Sequence, residues 1–219
     1  SPECKTVTRR EIALNLMQTE VPQTDIHKAH EYVIQKNIGH YVTDVVFPEM
    51  FHLSPDYLRE LQRAVRGADL LIACHPYVLP VLRSVSSLPI WYEAQDVEVD
   101  VKARQFAGAG LGADLLRRVG EVERACCEQS EIIMTCSDID ARRLQELYAV
   151  PADKLVIVPN GVDVREVAYQ PPSARRQAKE QAAVGGSFMA SFIGSWHQPN
   201  IDAVKFLLEI APSFPGISF

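Results

Sequence analysis

The chain has 219 residues, 47% of them hydrophobic and 23% charged, a composition that excludes a disordered or low-complexity polymer and suits one or two folded domains. Its formal net charge of -6 at pH 7 excludes the basic footprint that grips phosphate backbones, so no nucleic-acid partner is expected. Cys4, Cys74, Cys126, Cys127 and Cys136 form an odd set without C-x-x-C spacing, which reads as reduced, mostly buried thiols of a cytoplasmic protein and not as a zinc site.

In chain order, the apolar runs 11–16 and 41–47 predict strands. Ser54 before Pro55 then predicts an N-cap and first helical position, with Tyr57, Leu58, Leu61 and Val65 at helical spacing. Runs 70–74 and 90–94 predict two more strands. The glycine-rich stretch 107–112 predicts a turn too irregular for a phosphate loop. A long helix over 111–127 follows, on which Leu111, Leu115, Val119, Val122 and Cys126 keep one apolar stripe. After a strand at 132–136, Ser137 predicts the cap of a helix with Asp140 at its third position and Leu144 and Leu147 facing inward. Strands at 155–158 and 189–193 complete the series.

Short apolar runs alternating with helical patterns are the sequence form of β-α repeats, so the expected class is α/β with a Rossmann-like parallel sheet. Most runs are continuous, as in strands buried on both faces. No apolar stretch has the length of a bilayer span, and the start carries no signal-peptide pattern.

Composition breaks after Val158. Pro159, Asn160 and Gly161 are strong turn chemistry, and the segment beyond them is polar and proline-rich. The expected division is an incomplete first domain over 1–162, a linker over 163–173, and the first strand-helix unit of a second Rossmann-like domain over 174–219. Residues 216–219 read as the opening of another buried strand, and the start lacks an initial strand with a glycine-rich turn, so the sequence reads as a fragment.

Four stretches in register carry a family likeness: ADLLIACHP at 68–76; IWYEAQDVE at 90–98; EVER at 121–124 through IMTCSDID at 133–140 to YAVP at 148–151; and KLVIVPNGVD at 154–163 followed by ASFIGS at 190–195 and Pro199-Asn200. Over roughly residues 68 to 212 the chain resembles the retaining, nucleotide-sugar-dependent enzymes of glycosyltransferase family four, which have the GT-B fold. Residues 1–67 fit that likeness only loosely.

The resemblance implies an acceptor-holding first domain, a donor-holding second domain and reaction in the cleft between them. It implies transfer to an acceptor hydroxyl with a nucleoside diphosphate leaving, and no cofactor or divalent metal. The expected partners are a nucleotide-sugar donor and a carbohydrate or lipid-linked acceptor. That expectation is compatible with peripheral contact at the inner face of a membrane, and with oligomers formed through exposed strand edges.

Positions just after the apolar runs are the informative ones, because ligands gather at strand carboxyl ends. His75, Gln95, Asp96 and Glu98 are the acceptor-side candidates. Gln95 orients hydroxyls without exchanging protons; Asp96 and Glu98 read equally as acceptor ligands, a base or helix caps; and His75 reads as an acceptor contact or a cap. Gly194, Ser195 and Asn200 are the donor-binding candidates: a glycine lets backbone N–H groups approach a diphosphate, and Asn200 would cap the following helix. As residues alone they read equally as a tight turn with an ordinary cap.

Where many members place an Arg and then a Lys after that glycine, this chain has Ser195, Trp196, His197 and Gln198, so charge compensation falls to backbone dipoles, to Lys205 or to other residues. Pro159, Asn160 and Gly161 are the hinge candidates. The family's paired-glutamate motif would fall beyond Phe219, so the expectation is a chain inactive by itself. A non-catalytic α/β module binding sugars or nucleotides stays open as the alternative; a Rossmann oxidoreductase is disfavoured, since no G-x-G-x-x-G follows a strand.

Overall fold

A computed structural model of the chain describes residues 5–108, 110–181, 188–195 and 198–219, with residues 198 and 199 described by backbone alone. Cys4, Trp196 and His197 lie outside the described residues. The chain divides into two compact units, Ser1–Asn160 and Gly161–Phe219.

The first unit opens with strands β1 (Thr8–Ala13) and β2 (Leu16–Glu20), paired antiparallel. The sequence predicts one strand across 11–16, but Asn15 turns the chain with φ 61, a left-handed conformation that asparagine tolerates. Helix α1 (Asp25–Ile38) is capped by Thr24, whose Oγ1 accepts from the His27 N–H at 3.2 Å. It ends at Gly39, with φ 78 and its N–H returned to the Gln35 carbonyl.

The predicted strand over 41–47 is instead helix α2 (Thr43–Met50). Val42, Val45, Val46 and Met50 recur at helical spacing and are all buried, so packing overrides the strand preference of the β-branched run. Helix α3 (Pro55–Val65) begins where Ser54 and Pro55 place it. Ser54 does not cap it by its side chain; its Oγ lies 3.0 Å from Nδ1 of the fully buried His27 and ties α3 to α1.

There follow β3 (Leu71–Cys74), α4 (Leu79–Val85), β4 (Ile90–Ala94), α5 (Glu98–Gln105), α6 (Gly112–Gln129), β5 (Ile132–Thr135), α7 (Asp138–Tyr148) and β6 (Leu155–Ile157). The four strands form one parallel sheet in the order β3-β4-β5-β6, a Rossmann-like α/β arrangement. Ser137 caps α7 as the sequence predicts, accepting from the Asp140 N–H at 3.1 Å.

Helix α4 lies against β3, α6 against β4, and α7 against β5 and β6. Beneath them Leu71, Ala73, Ile90, Tyr92, Ala94 and Ile133 form the core with Leu82, Cys126 and Leu144. A second cluster joins Val42, Val45 and Val46 of the α2 region to Tyr77, Leu115 and Val119. The opposite sheet face departs from the expectation of strands buried on both sides: Ile72 is 50% exposed, and Trp91, Glu93 and Met134 are half-buried. Continuous apolar strands report hydrophobicity, not how many faces a neighbour covers. Among the described residues no helix is long and apolar enough to cross a membrane.

The second unit contains α8 (Pro172–Gln181), β7 (Phe188–Met189), α9 (Gln198–Ile210) and β8 (Ile217–Ser218), with β7 and β8 paired in parallel. The strand predicted over 189–193 starts at Phe188 and ends at Met189. Ala190 still donates to the Ser218 carbonyl, but Ile193 is 96% exposed, so the apolar run outlasts its pairing.

Ile133 has no solvent exposure at the centre of the first unit's sheet. Ile133→Ala should lower unfolding free energy by about 2–5 kcal/mol in urea titration, and a loss below about 1 kcal/mol would contradict this packing.

Candidate functional site

In a parallel sheet all strands end along one edge, so the residues that follow β3, β4, β5 and β6 are neighbours there. His75 follows β3 at φ 67 and ψ 153, a backbone region nearly confined to glycine that costs about 1–3 kcal/mol for other residues. Its N–H is held by the Glu93 carbonyl of β4 at 3.3 Å. Its Nδ1 lies 2.6 Å from Oε1 of Glu98, while the Tyr77 hydroxyl donates to Oε2 at 2.8 Å. Glu98 thus accepts on both oxygens, which assigns the hydrogen to Nδ1 and leaves Nε2 free on a side chain 41% exposed. The imidazole is not a helix cap.

Glu98 opens α5, and neither it nor Asp96 caps that helix. The cap comes from α6: Glu123 accepts from the Glu98 N–H at 2.7 Å, the Val99 N–H at 3.2 Å and the Tyr148 hydroxyl at 2.6 Å. Glu123 is fully buried. Gln95 and Asp96 are exposed in the turn between β4 and α5.

The hydrogen bond to Glu98 raises the His75 pKa against the lowering effect of burial, with further support from the charges of Glu98, Asp44 and Asp96. Burial, then the charge of Glu98, pushes the Tyr77 phenol far above its ordinary range, so it remains a donor. Burial also raises the Glu123 carboxyl, opposed by its bonds from Tyr148, Glu98 and Val99. Lys102 of α5 reaches Asp44 of α2 at 2.5 Å.

Beside this group, Cys74 donates to Oε2 of its cross-strand partner Glu93 at 2.6 Å. Burial, that bond and the carboxylate charge push the thiol up to about 11, which keeps it a protonated donor at neutral pH. Cys136 at the end of β5 reaches Oδ1 of Asn160 at 3.7 Å, so Asn160 lies on this edge. Pro159 and Gly161 flank it, exposed.

In the second unit Gly194, Ser195 and Asn200 come together. Asn200 Nδ2 donates to the Ser195 carbonyl at 3.2 Å and lies 3.3 Å from its Oγ. A Cβ on Gly194 would sit 2.8 Å from Asn200 Cγ, closer than real Cβ contacts allow, so the glycine is needed for this approach. Asn200 does not occupy the N-cap the sequence assigns to it: α9 starts at Gln198, and the Asn200 amide donates backward to the turn.

Sequence reasoning finds His75 and Glu98 without finding that they pair, and it misses Tyr77, Glu123 and Tyr148. A signal for Glu123 exists: it falls at the spacing of the buried positions Leu115, Val119 and Cys126. A carboxylate on an apolar stripe needs donors waiting for it. What the first unit's edge offers chemically is an imidazole of fixed tautomer beside several carboxylates, suited to accepting hydrogen bonds from hydroxyl groups.

The sequence model of Glycosyltransferase Family 4 matches residues 21–166, about two thirds of the chain. The match takes in residues 21–67, where the sequence likeness is only loose, and ends just inside the second unit. No curated protein is a significant match to the chain.

A histidine whose folded pKa is raised contributes stability that is fully present below its ordinary value of 6.5 and lost as pH rises through the folded value. Glu98→Gln should therefore depress the urea midpoint more at about pH 5.5 than at about pH 9, leaving at high pH only the loss of one of the two bonds that Glu98 accepts. Equal depression at both would show that the pair does not hold a proton.

Proposed function

The chain belongs to Glycosyltransferase Family 4, and from that membership we infer that it serves retaining transfer of a sugar from a nucleotide-sugar donor to an acceptor hydroxyl. The observation that carries this reading is the His75–Glu98 pair at the carboxyl edge of the sheet. When the ring is neutral, with the Nδ1 hydrogen committed to Glu98, Nε2 accepts a hydrogen bond from the acceptor hydroxyl and aligns it for attack. Gln95, Asp96 and Glu93 line the same edge and suit the acceptor's remaining hydroxyls.

For the donor, the turn at Gly194 and Ser195 offers backbone N–H groups to the diphosphate, with Asn200 fixing the turn. Departure of a nucleoside diphosphate needs charge stabilisation more than a dedicated acid, and preorganised dipoles supply it.

The purified protein should be warmed with a panel of nucleoside diphosphate sugars. A cognate donor at a hundredfold excess over its Kd stabilises by about 2.7 kcal/mol, a shift of several degrees in Tm. Gly194→Ala should reduce that shift, because the added methyl displaces Asn200. If no nucleotide sugar shifts Tm, the reading fails.

A further inference from the structure

Helix α5 is only eight residues long, and it carries Glu98 at its first position. Its own N-cap, Val97, supplies no side-chain acceptor. Other ties hold the helix as well: Asp100, in the same first turn, takes two bonds from Arg143 of α7 at 2.7 and 3.0 Å, and Lys102 in the second turn meets Asp44 of α2. Arg143 and Asp100 are each about two-fifths exposed, and exposed pairs of that kind contribute about 0–1 kcal/mol. The tie to the backbone of that turn comes instead from a group with no solvent exposure. Both oxygens of Glu123 receive backbone N–H groups of that turn, one of them from Glu98 itself, and the Tyr148 hydroxyl fixes the carboxylate from the far end of α7.

We propose that Glu123, held by Tyr148, is a positioning residue for the His75–Glu98 pair: by capping the first turn of α5 it sets where the Glu98 carboxylate meets the imidazole. The role is narrower than general support of the fold, because its product is one distance, the 2.6 Å between His75 Nδ1 and Glu98 Oε1. Glu123→Gln keeps the volume but replaces one accepting oxygen with a donating NH2, which cannot receive an N–H. One of the two backbone bonds is lost, the first turn loosens, and Glu98 leaves the ring. Tyr148→Phe leaves both backbone bonds and frees the carboxylate to shift. The inference rests on the proposed role of His75 for its functional meaning, but its geometry is tested without any donor or acceptor.

The readout is the His75 titration followed by imidazole NMR on the full chain, with the resonance identified by its absence in His75→Gln. Among the described residues, the charged groups that act on His75 are Glu98 of α5, Asp44 of α2 and Asp96 of the turn; Tyr77 bonds the other Glu98 oxygen, Lys102 bonds Asp44, and the Glu93 carboxylate bonds the neighbouring Cys74. Glu123→Gln should move the His75 midpoint down toward 6.5, and Tyr148→Phe should move it the same way by less. In the Glu98→Gln background, Glu123→Gln should produce no further shift.

A midpoint unchanged in Glu123→Gln, or an equal shift with and without Glu98, overturns the proposal, the second because it reports a direct charge effect. Should Glu123→Gln fail to give a native spectrum, Tyr148→Phe decides: a lowered midpoint supports the proposal and an unchanged one overturns it. Failure of donor binding would leave these shifts intact, so the two readings fail separately.

Discussion

Charge that cannot reach water must be met by donors, and in the first unit that constraint falls on Glu123. Withdrawing an isolated carboxylate from solvent costs several kcal/mol, whereas hydrogen bonds to a charged group each contribute about 1.5–3 kcal/mol. Three donors at 2.6–3.2 Å oppose that cost, although burial still raises the carboxyl. The donors come from the start of α5 and the end of α7, and the acceptor from the middle of α6, so this offset exists only when the three helices hold one mutual arrangement. The positive end of the α5 dipole works in the same direction.

The strained backbone of His75 belongs to the same arrangement. A φ of 67 at a residue with a Cβ persists only when its surroundings over-determine it, and here they do so from two sides. The Glu93 carbonyl holds the N–H, and Glu98 holds the ring. Strain at the end of β3 and a buried charge in α6 are thus linked through the first turn of α5, each cost being offset by bonds to that turn.

The strands that position the site were legible because short apolar runs separated by helical patterns have few other solutions: 90–94 is found as drawn, and 70–74, 132–136 and 155–158 each shift by one residue at an end. The helix α2 was not, since Val45-Val46-Phe47 carries strand preference and only its neighbours reveal which side is buried. The hairpin turn at Asn15 was hidden by apolar residues on both sides. At the site, residue types were legible and partners were not. Nothing in the spacing of His75 and Glu98, 23 residues apart, says that they touch, and a pairing across a parallel crossover depends on the register of β3 on β4.

Charge separates the chemistry of the two candidate regions. Glu93, Asp96 and Glu98 crowd the edge around His75, and a diphosphate placed there would face like charge, whereas sugar hydroxyls find acceptors. The turn of Gly194 and Ser195 presents a close backbone approach with the Asn200 amide as its fixed side chain, where on the proposed reading N–H dipoles meet an anion. On the proposed reading, placing acceptor hydroxyls at the sheet edge and donor phosphate at the glycine turn is the division that keeps the phosphate away from the carboxylates around His75.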